Sequence, residues 1–502
     1  MFFFSKEWAM KQNRTRNSIL YGLLLLSLCT AFLYFASAFV SENFGRVTIS
    51  QILFHLGASG THGGDPSQYL SALKWLALFV ATAGGIILFV RRAARASARS
   101  AVRPRIFSVC TAVLILFSSF SMVMAEKNLE IVGYAVQKES EWFEENYARL
   151  DTENFRNVGQ RNLIVIFLES MERGYADATT YGEDLIPELI ALRDEGCWFS
   201  GHRKTPGAWF TIDGLSAQLL GVPLAHLGLD FYSMDERFHA LLKNSPSIFD
   251  LLKNDGYVTA AFSGASEKFT QKGSFFRAHG IDAVYAREHW EGAEGLSEEQ
   301  AGHHFGLRDE FLWARFREYL DSVSRTGDRF AVLFETLDTH SPNGFATGED
   351  VRFGDARDAM RASSRMAAEF LRWAAQQPWY QDTTIVIVGD HPWQDAPNDF
   401  TEKFTSQSRD REIFNVILNT HRGVKGEGIV LSGWSSMDMA PTILHAMGVE
   451  FRSRLQSGAE SRARMGLGTS LFSGEPNLLS RYGLEVHNEE LSKPSEFYDS
   501  LF

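Results

Sequence analysis

The sequence predicts three N-terminal membrane-spanning helices followed by an α/β domain built on a central, mostly parallel sheet. Three observations carry this expectation. Long apolar runs crowd the first 125 or so residues, and strand-like and helix-like segments alternate from Asn162 onward. Two short unbroken apolar runs each end in residues able to ligate a metal.

The first apolar run, Ile19 to Val40, exceeds the roughly 20 residues that cross a bilayer. Ala36-Ser37-Ala38 resembles a signal-peptidase site, which sets cleavage against a retained span. Leu70 to Val90 and Ile106 to Ala125 are the second and third candidates, completing a membrane region over 18–125. Between them, Arg91 to Arg105 carries arginines and no acid, so the positive-inside rule places that loop in the cytoplasm. Lys6, Lys11, Arg14 and Arg16 put residues 1–17 on the same side. Three crossings then leave everything after Ala125 outside the cytoplasm, with or without cleavage. The position of the arginine loop between two spans favours topology over nucleic-acid binding. The net charge of −12 argues further against a polyanion partner. Cys29 and Cys110 lie inside apolar runs and Cys197 stands alone, so no disulfide framework is expected outside the membrane.

Residues 126–161 read as a membrane-proximal linker, a connecting helix whose Trp142, Phe143, Tyr147 and Phe155 suit the lipid interface. The α/β domain is expected over 162–475. Helices are predicted over Pro187–Leu192, Ser247–Asn254, Arg308–Val323, Arg357–Ala375 and Ser436–Met447, the last closed by Gly448. Strands are predicted over Val258–Phe262, Phe330–Phe334 and Ile413–Leu418. The polar residues 476–502 are expected to be a loosely packed tail.

Chemistry concentrates where the apolar runs stop. The run from Asn162 to Leu168 ends in Glu169, at the carboxyl edge where open α/β sheets place their ligands. Thr384 to Val388 leads into Gly389-Asp390-His391 and repeats the design. One acid after a strand is ordinarily a solvated loop residue or a helix cap. Two strands delivering Glu, Asp and His to one edge suggest more. In Pro206 to Gln218, a loop with Pro and Gly gives way at Thr211 to a helical segment. A hydroxyl at a helix start is most often a cap, yet the same place offers free N–H groups and the positive end of the helix dipole to a phosphoryl group. Beside a divalent cation that hydroxyl becomes a nucleophile. Glu169, Thr211, Asp390 and His391 together form an oxygen and nitrogen set that suits manganese, magnesium or zinc.

Several motifs then occur in order: Asn162 to Ser170; Thr211-Ile212 with Gly214, Ala217 and Gly221-Val222-Pro223-Leu224; Gly264-Ala265 with Phe269 and Lys272; and His279-Gly280-Ile281-Asp282. They continue with Ser324 to Phe330, Asp338-Thr339-His340-Ser341-Pro342, Gly389-Asp390-His391 and Ala440 to Leu444. This series resembles the lipoteichoic acid synthase branch of the alkaline phosphatase and sulfatase superfamily, and within it the phosphoglycerol transferases of osmoregulated periplasmic glucans. The resemblance runs from Asn162 to about Ser473. It implies a sulfatase-like catalytic domain in the periplasm, carried by a multi-pass protein of a bacterial inner membrane. It also implies one metal, usually manganese, on Glu169, Thr211, Asp390 and His391, with Thr211 as nucleophile. By the same likeness His340 contacts the substrate phosphate. Lys272 falls where the synthases carry an arginine that holds glycerol phosphate, and a lysine supplies charge without the bidentate fork. Thr270 replaces a tryptophan nearby, which leaves headgroup contacts open. The implied donor is phosphatidylglycerol and the acceptor a glucan or other exported glycan. The glucan enzymes continue well past this domain, so acceptor choice does not carry over.

Rival readings remain at this stage: a phosphoethanolamine transferase, a phosphodiesterase, or a non-catalytic glycan-binding or assembly protein. The last would be expected to have lost one of the four ligands, and all are present. Sulfate-ester hydrolysis is disfavoured because it needs Cys or Ser in a Cys/Ser-x-Pro-x-Arg context, which Thr211 does not supply. His303 and His304 are read as solvated loop histidines.

Overall fold

The computed structural model describes residues 2–45, 52, 66–99, 103–129, 137–225, 241–294, 296, 306–394, 400–405, 408, 410–421, 423 and 427–502. The chain divides into an N-terminal unit and a unit that holds residues 137–502.

The N-terminal unit contains α1 (Phe2–Phe44), α2 (Pro66–Arg99) and α3 (Arg103–Leu129). Their segments Thr15–Asn43, Tyr69–Arg95 and Arg105–Leu129 are long and apolar enough to cross a membrane. Polar bridges tie the helices together. Ser27 and Ser118 share a hydrogen bond of 2.9 Å between α1 and α3, and Asn128 Nδ2 donates to Ser37 Oγ at 3.0 Å. Trp75 Nε1 donates to Glu42 at 2.7 Å between α2 and α1. Leu25, Leu70, Leu73 and Leu116 point outward, the pattern of helices whose solvent is lipid.

The second unit is organised by an eight-stranded sheet of order β5-β4-β6-β2-β7-β8-β3-β9. Its strands are β2 (Asn162–Leu168), β3 (Cys197–His202), β4 (Val258–Ser263), β5 (Ala283–Tyr285), β6 (Phe330–Glu335), β7 (Thr383–Gly389), β8 (Asn415–Leu418) and β9 (Glu427–Trp434). Only β8 runs antiparallel to its neighbours. The unbroken apolar character of β2 and β7 follows from burial on both faces. Leu163, Val165 and Phe167 pack with the helices Thr211–Leu220 and Met439–Met447. Ile164, Ile166 and Leu168 pack with the helices Asp309–Val323 and Ala356–Ala374 on the other side. Each such side chain taken from water contributes about 1.5–3 kcal/mol, which makes this sheet the rigid part of the unit.

Local signals set the helix ends. Ser247 and Asp250 form a reciprocal capping box at the start of Ile248–Asn254. Gly448, at φ +82°, closes Met439–Met447 in the left-handed conformation.

Two expectations are corrected. The stretch read as a connecting helix holds the short helix Trp142–Asn146 and the strand β1 (Arg149–Asn157), which pairs antiparallel with β10 (Val449–Arg454). Its aromatic rings are not free for a lipid interface: Phe143 and Tyr147 pack on Tyr498 and Phe497, and Trp142 on Tyr482 and His487. The residues expected to form a loose tail supply those partners. They form the helices Leu478–Tyr482, Leu484–Leu491 and Glu496–Asp499, and bury Leu478, Leu491, Tyr498 and Phe502. A few spaced apolar anchors suffice to dock a segment that is polar on average.

Candidate metal centre

Strand register does the positioning. Leu168 of β2 is paired with Gly389 of β7, and Phe167 with Glu335 of β6. Glu169 and Asp390 therefore leave adjacent strands at one level, beside Glu335. Ligand atoms of Glu169, Asp390 and His391 lie within 4.8 Å of one another, and all three residues are buried.

The backbone fixes each group. Ser170, at φ +52°, turns the chain so that its N–H donates to Asp390 Oδ1 at 2.8 Å, as does the N–H of His391. Asp390 Oδ2 is buried without a hydrogen-bond partner. His391 Nδ1 lies 2.8 Å from the carbonyl oxygen of Pro392, which only accepts, so the proton resides on Nδ1. The Nε2 lone pair then faces Asp390 Oδ2 at 3.4 Å and Glu169 Oε1 at 3.5 Å. Burial, reinforced by the Glu169 charge, pushes the Asp390 carboxyl well above its ordinary range, and burial lowers His391 toward the neutral imidazole. An orphaned carboxylate oxygen, a second carboxylate and a neutral ring nitrogen converge within 4.8 Å. This donor set fits a divalent cation, with the Pro392 carbonyl as the outer partner that orients the histidine.

Thr211 opens the helix Thr211–Leu220, but the residue flanking that helix is Phe210, with extended backbone and no side-chain cap. Asp213 takes the capping role, accepting from the backbones of Trp209 and Phe210, and burial pushes its carboxyl up to about 8. Thr211 is itself the first helical residue and not the cap, and its hydroxyl donates to Glu169 Oε2 at 3.1 Å. The helix is locked on the Asp390 loop. Gln218 Nε2 donates to the carbonyls of Gly389 at 3.1 Å and Asp390 at 3.0 Å, and a Cβ at Gly214 would stand 2.2 Å from the Asp390 carbonyl oxygen.

The loop after β6 wraps Glu169. Thr336 Oγ1 accepts its N–H at 2.9 Å and Thr339 Oγ1 donates to its carbonyl at 2.5 Å. On that loop His340 is half-buried, with Nδ1 donating to the Ser341 carbonyl at 2.6 Å. Lys272 behaves differently from the expected phosphate contact. Its ammonium is buried in an ion pair with Glu335 Oε1 at 2.5 Å. Glu335 was missed, although it carries the same signal as Glu169, an acid closing an apolar strand. Lys204 was missed too. It lies over the Trp209 ring and its charge acts on His391 and Glu172. A cation just ahead of the Pro206-Gly207 loop was the readable cue. His303 and His304 lie outside the described residues.

Carboxylates and an imidazole at parallel strand ends, facing a helix-start hydroxyl within a three-layer α/β domain, place the chain in the alkaline phosphatase and sulfatase superfamily. Residues 161–449 match the sulfatase family model, more than half of the sequence, and the chain belongs to that family. It is 27% identical over 460 residues to a phosphoglycerol transferase I of Escherichia coli O81 (strain ED1a), covering 87% of this chain and 54% of the relative. Over 335 residues it is 30% identical to a phosphoglycerol transferase I of Shigella boydii serotype 18, covering 62% of this chain and 39% of the relative. The chain thus spans about half the length of the curated relatives it matches. The integral membrane lipooligosaccharide phosphoethanolamine transferase A of Neisseria meningitidis shares the fold, with TM-score 0.51 and 14% identity over 85% of this chain and 83% of that one.

Proposed function

We propose that this chain is a membrane-anchored phosphoglycerol transferase that moves phosphoglycerol from phosphatidylglycerol to a periplasmic glucan or other exported glycan. The observation that carries the reading is the Thr211 hydroxyl, hydrogen-bonded at 3.1 Å to Glu169 beside Asp390 and His391. The likeness to phosphoglycerol transferase I supports the donor and the group transferred. The arginines of residues 91–105 support a bacterial inner-membrane topology with residues 137–502 in the periplasm.

In this reading Glu169, Asp390, His391 and Thr211 hold one divalent cation, manganese by family likeness. When bound, it supplies Lewis-acid stabilisation of charge on the hydroxyl and the phosphoryl oxygens. Thr211 Oγ1 passes its proton to Glu169 and attacks the donor phosphorus, the bond to diacylglycerol breaks, and the departing oxygen takes up that proton. A phosphoglycerol-threonine forms, and a glycan hydroxyl then displaces Thr211. The amino end of the helix Thr211–Leu220 stabilises the phosphoryl charge, and His340 orients the group. Lys272 contributes its field through Glu335, with direct contact to the headgroup requiring that pair to open. The membrane spans keep the site beside a donor that stays in the bilayer.

A phosphoethanolamine transferase would share every step and differ in donor; supplying defined lipids and identifying the transferred group separates the two. Mass spectrometry of the purified protein after exposure to phosphatidylglycerol and manganese tests the whole reading. A phosphoglycerol adduct on the Thr211 peptide is expected. Thr211→Ala should abolish both adduct and transfer while the protein stays folded, and wild-type transfer by that variant would refute the assignment.

A further inference from the structure

Glu172 follows Glu169 on the chain that leaves β2 and is completely buried. Its backbone is held against the segment that leads into β8: Phe414 donates its N–H to the Met171 carbonyl at 2.9 Å, and Arg173 donates to the Glu412 carbonyl at 2.8 Å. That pairing brings Arg411 alongside, and Arg411 Nε donates to Glu172 Oε2 at 2.7 Å. The second oxygen, Oε1, accepts the N–H of Trp393 at 2.8 Å, and Arg411 Nη2 donates to the Trp393 carbonyl at 2.7 Å. Both oxygens of Glu172 thus accept from donors, as suits an ionised acid. Burial raises its carboxyl, and the Arg411 guanidinium opposes that rise.

A buried ion pair by itself shows only that a loop is held. What distinguishes this one is the peptide it grips. The N–H taken by Glu172 belongs to the same trans peptide as the Pro392 carbonyl, which accepts from His391 Nδ1 at 2.8 Å. A trans peptide is planar with its N–H and C=O pointing opposite ways, so fixing the one aims the other. An anion on the N–H also polarises the peptide. Its carbonyl becomes a stronger acceptor for the Nδ1 proton, and the ring presents a more basic Nε2 to the space it shares with Glu169 and Asp390.

We propose that Glu172 is a positioning residue for His391, acting on the candidate metal centre through the Pro392–Trp393 peptide, with Arg411 holding its carboxylate in place. The inference rests on reading Glu169, Asp390 and His391 as a cation site. Glu172 touches neither the cation nor the donor in this account. Its part is to set the direction and the basicity of one ligand nitrogen, so its loss is felt first in metal binding.

The test titrates the full chain in detergent with manganese, counting free ion by electron paramagnetic resonance, and records at saturation the pulsed-resonance coupling of manganese to the imidazole nitrogen. Glu172→Gln keeps the size of the side chain and an acceptor but removes the charge, and Arg411, 28% exposed, can then reach solvent. Affinity should fall by about 10- to 100-fold, and the nitrogen coupling should shrink with the weaker donor. Ser247→Ala, which breaks the capping box of the helix Ile248–Asn254, should lower the unfolding temperature yet leave affinity and coupling as in the wild type. A wild type that binds no manganese removes the metal reading and the inference with it. If the wild type binds, a Glu172→Gln variant that binds as tightly with unchanged coupling overturns the proposal. Weaker binding with unchanged coupling, or an equal loss in Ser247→Ala, assigns the effect to general loosening and also overturns it. Should Glu172→Gln fail to fold, Glu172→Gln/Arg411→Met removes the whole ion pair and is read by the same outcomes.

Discussion

Lys272 Nζ lies 2.5 Å from Glu335 Oε1, both side chains almost fully buried, at the end of the strand next to the one that delivers Glu169. That lysine neutralises Glu335, and in the proposed reading it also supplies positive charge near the donor. The two roles separate by substitution. Lys272→Met leaves a buried carboxylate uncompensated and is expected to cost about 3–5 kcal/mol of stability. The double variant Lys272→Met/Glu335→Gln should recover most of this in thermal unfolding. If the ammonium also meets the donor phosphate, the stable double variant still loses transfer activity; full activity would confine Lys272 to the ion pair.

Gly214 and Gln218 set how closely the helix Thr211–Leu220 approaches the Asp390 loop. In Gly214→Ala the new methyl would sit 2.2 Å from a backbone oxygen, so the helix must withdraw and carry Thr211 with it. A cost of about 1–3 kcal/mol from overpacking is expected. Misplacement of the hydroxyl by about an ångström should lower transfer on the order of a hundredfold. Turnover measured beside unfolding temperature decides the matter, because loss of stability alone would leave turnover per folded molecule unchanged.

Much of this arrangement was legible in the sequence, and the pattern of omissions is physical. β2 and β7 announce themselves because parallel strands buried on both faces must be apolar throughout. Glu169 and His391 were found because they end those runs. β3 was missed because its sequence, Cys-Trp-Phe-Ser-Gly-His, lacks such a run. β1 was missed because its polar residues are stabilised by pairing with β10, almost three hundred positions away. No local pattern encodes that partner. Glu335 shows a further limit: the signal was present, but its meaning depended on Lys272 arriving from another element.

Asp309 and Asp338 predict a pH dependence. Asp309 accepts the N–H groups of Leu337 and Asp338, and its own N–H donates to Asp338 Oδ2 at 3.2 Å. Burial, followed by the Asp338 charge, raises Asp309 well above the ordinary carboxylate range, so the folded domain keeps a proton that the unfolded chain releases. That contribution is complete below the unfolded value near 4 and declines as pH rises toward the folded value. The unfolding midpoint of the domain should therefore fall as pH rises above about 5. Asp309→Asn, which fixes the protonated form, should flatten that fall; an unchanged slope would assign it to other groups.

Metal removal gives the last expectation, and its sign follows from the same electrostatics. Without a cation, Asp390 Oδ2 is buried and unpartnered, facing an imidazole nitrogen at 3.4 Å that also presents a lone pair. Such a group costs on the order of 1–3 kcal/mol to leave unsatisfied. A cation that binds the folded state alone stabilises it by mass action, by about 2.7 kcal/mol at a hundredfold excess over the dissociation constant. Chelation should accordingly lower the unfolding temperature, and manganese should restore it. His391→Ala removes the nitrogen ligand and leaves two buried carboxylates beside the Thr211 hydroxyl. Its response to manganese should be much weaker, because lost ligation lowers affinity, while its response to pH grows as Glu169 and Asp390 are left to share protons. Thr211→Ala, by contrast, should keep most of the metal-dependent rise in unfolding temperature, since Glu169, Asp390 and His391 remain within 4.8 Å. If chelator and manganese leave the unfolding temperature of the wild type unmoved, these three groups do not hold a cation, and the Thr211 hydroxyl needs another activator.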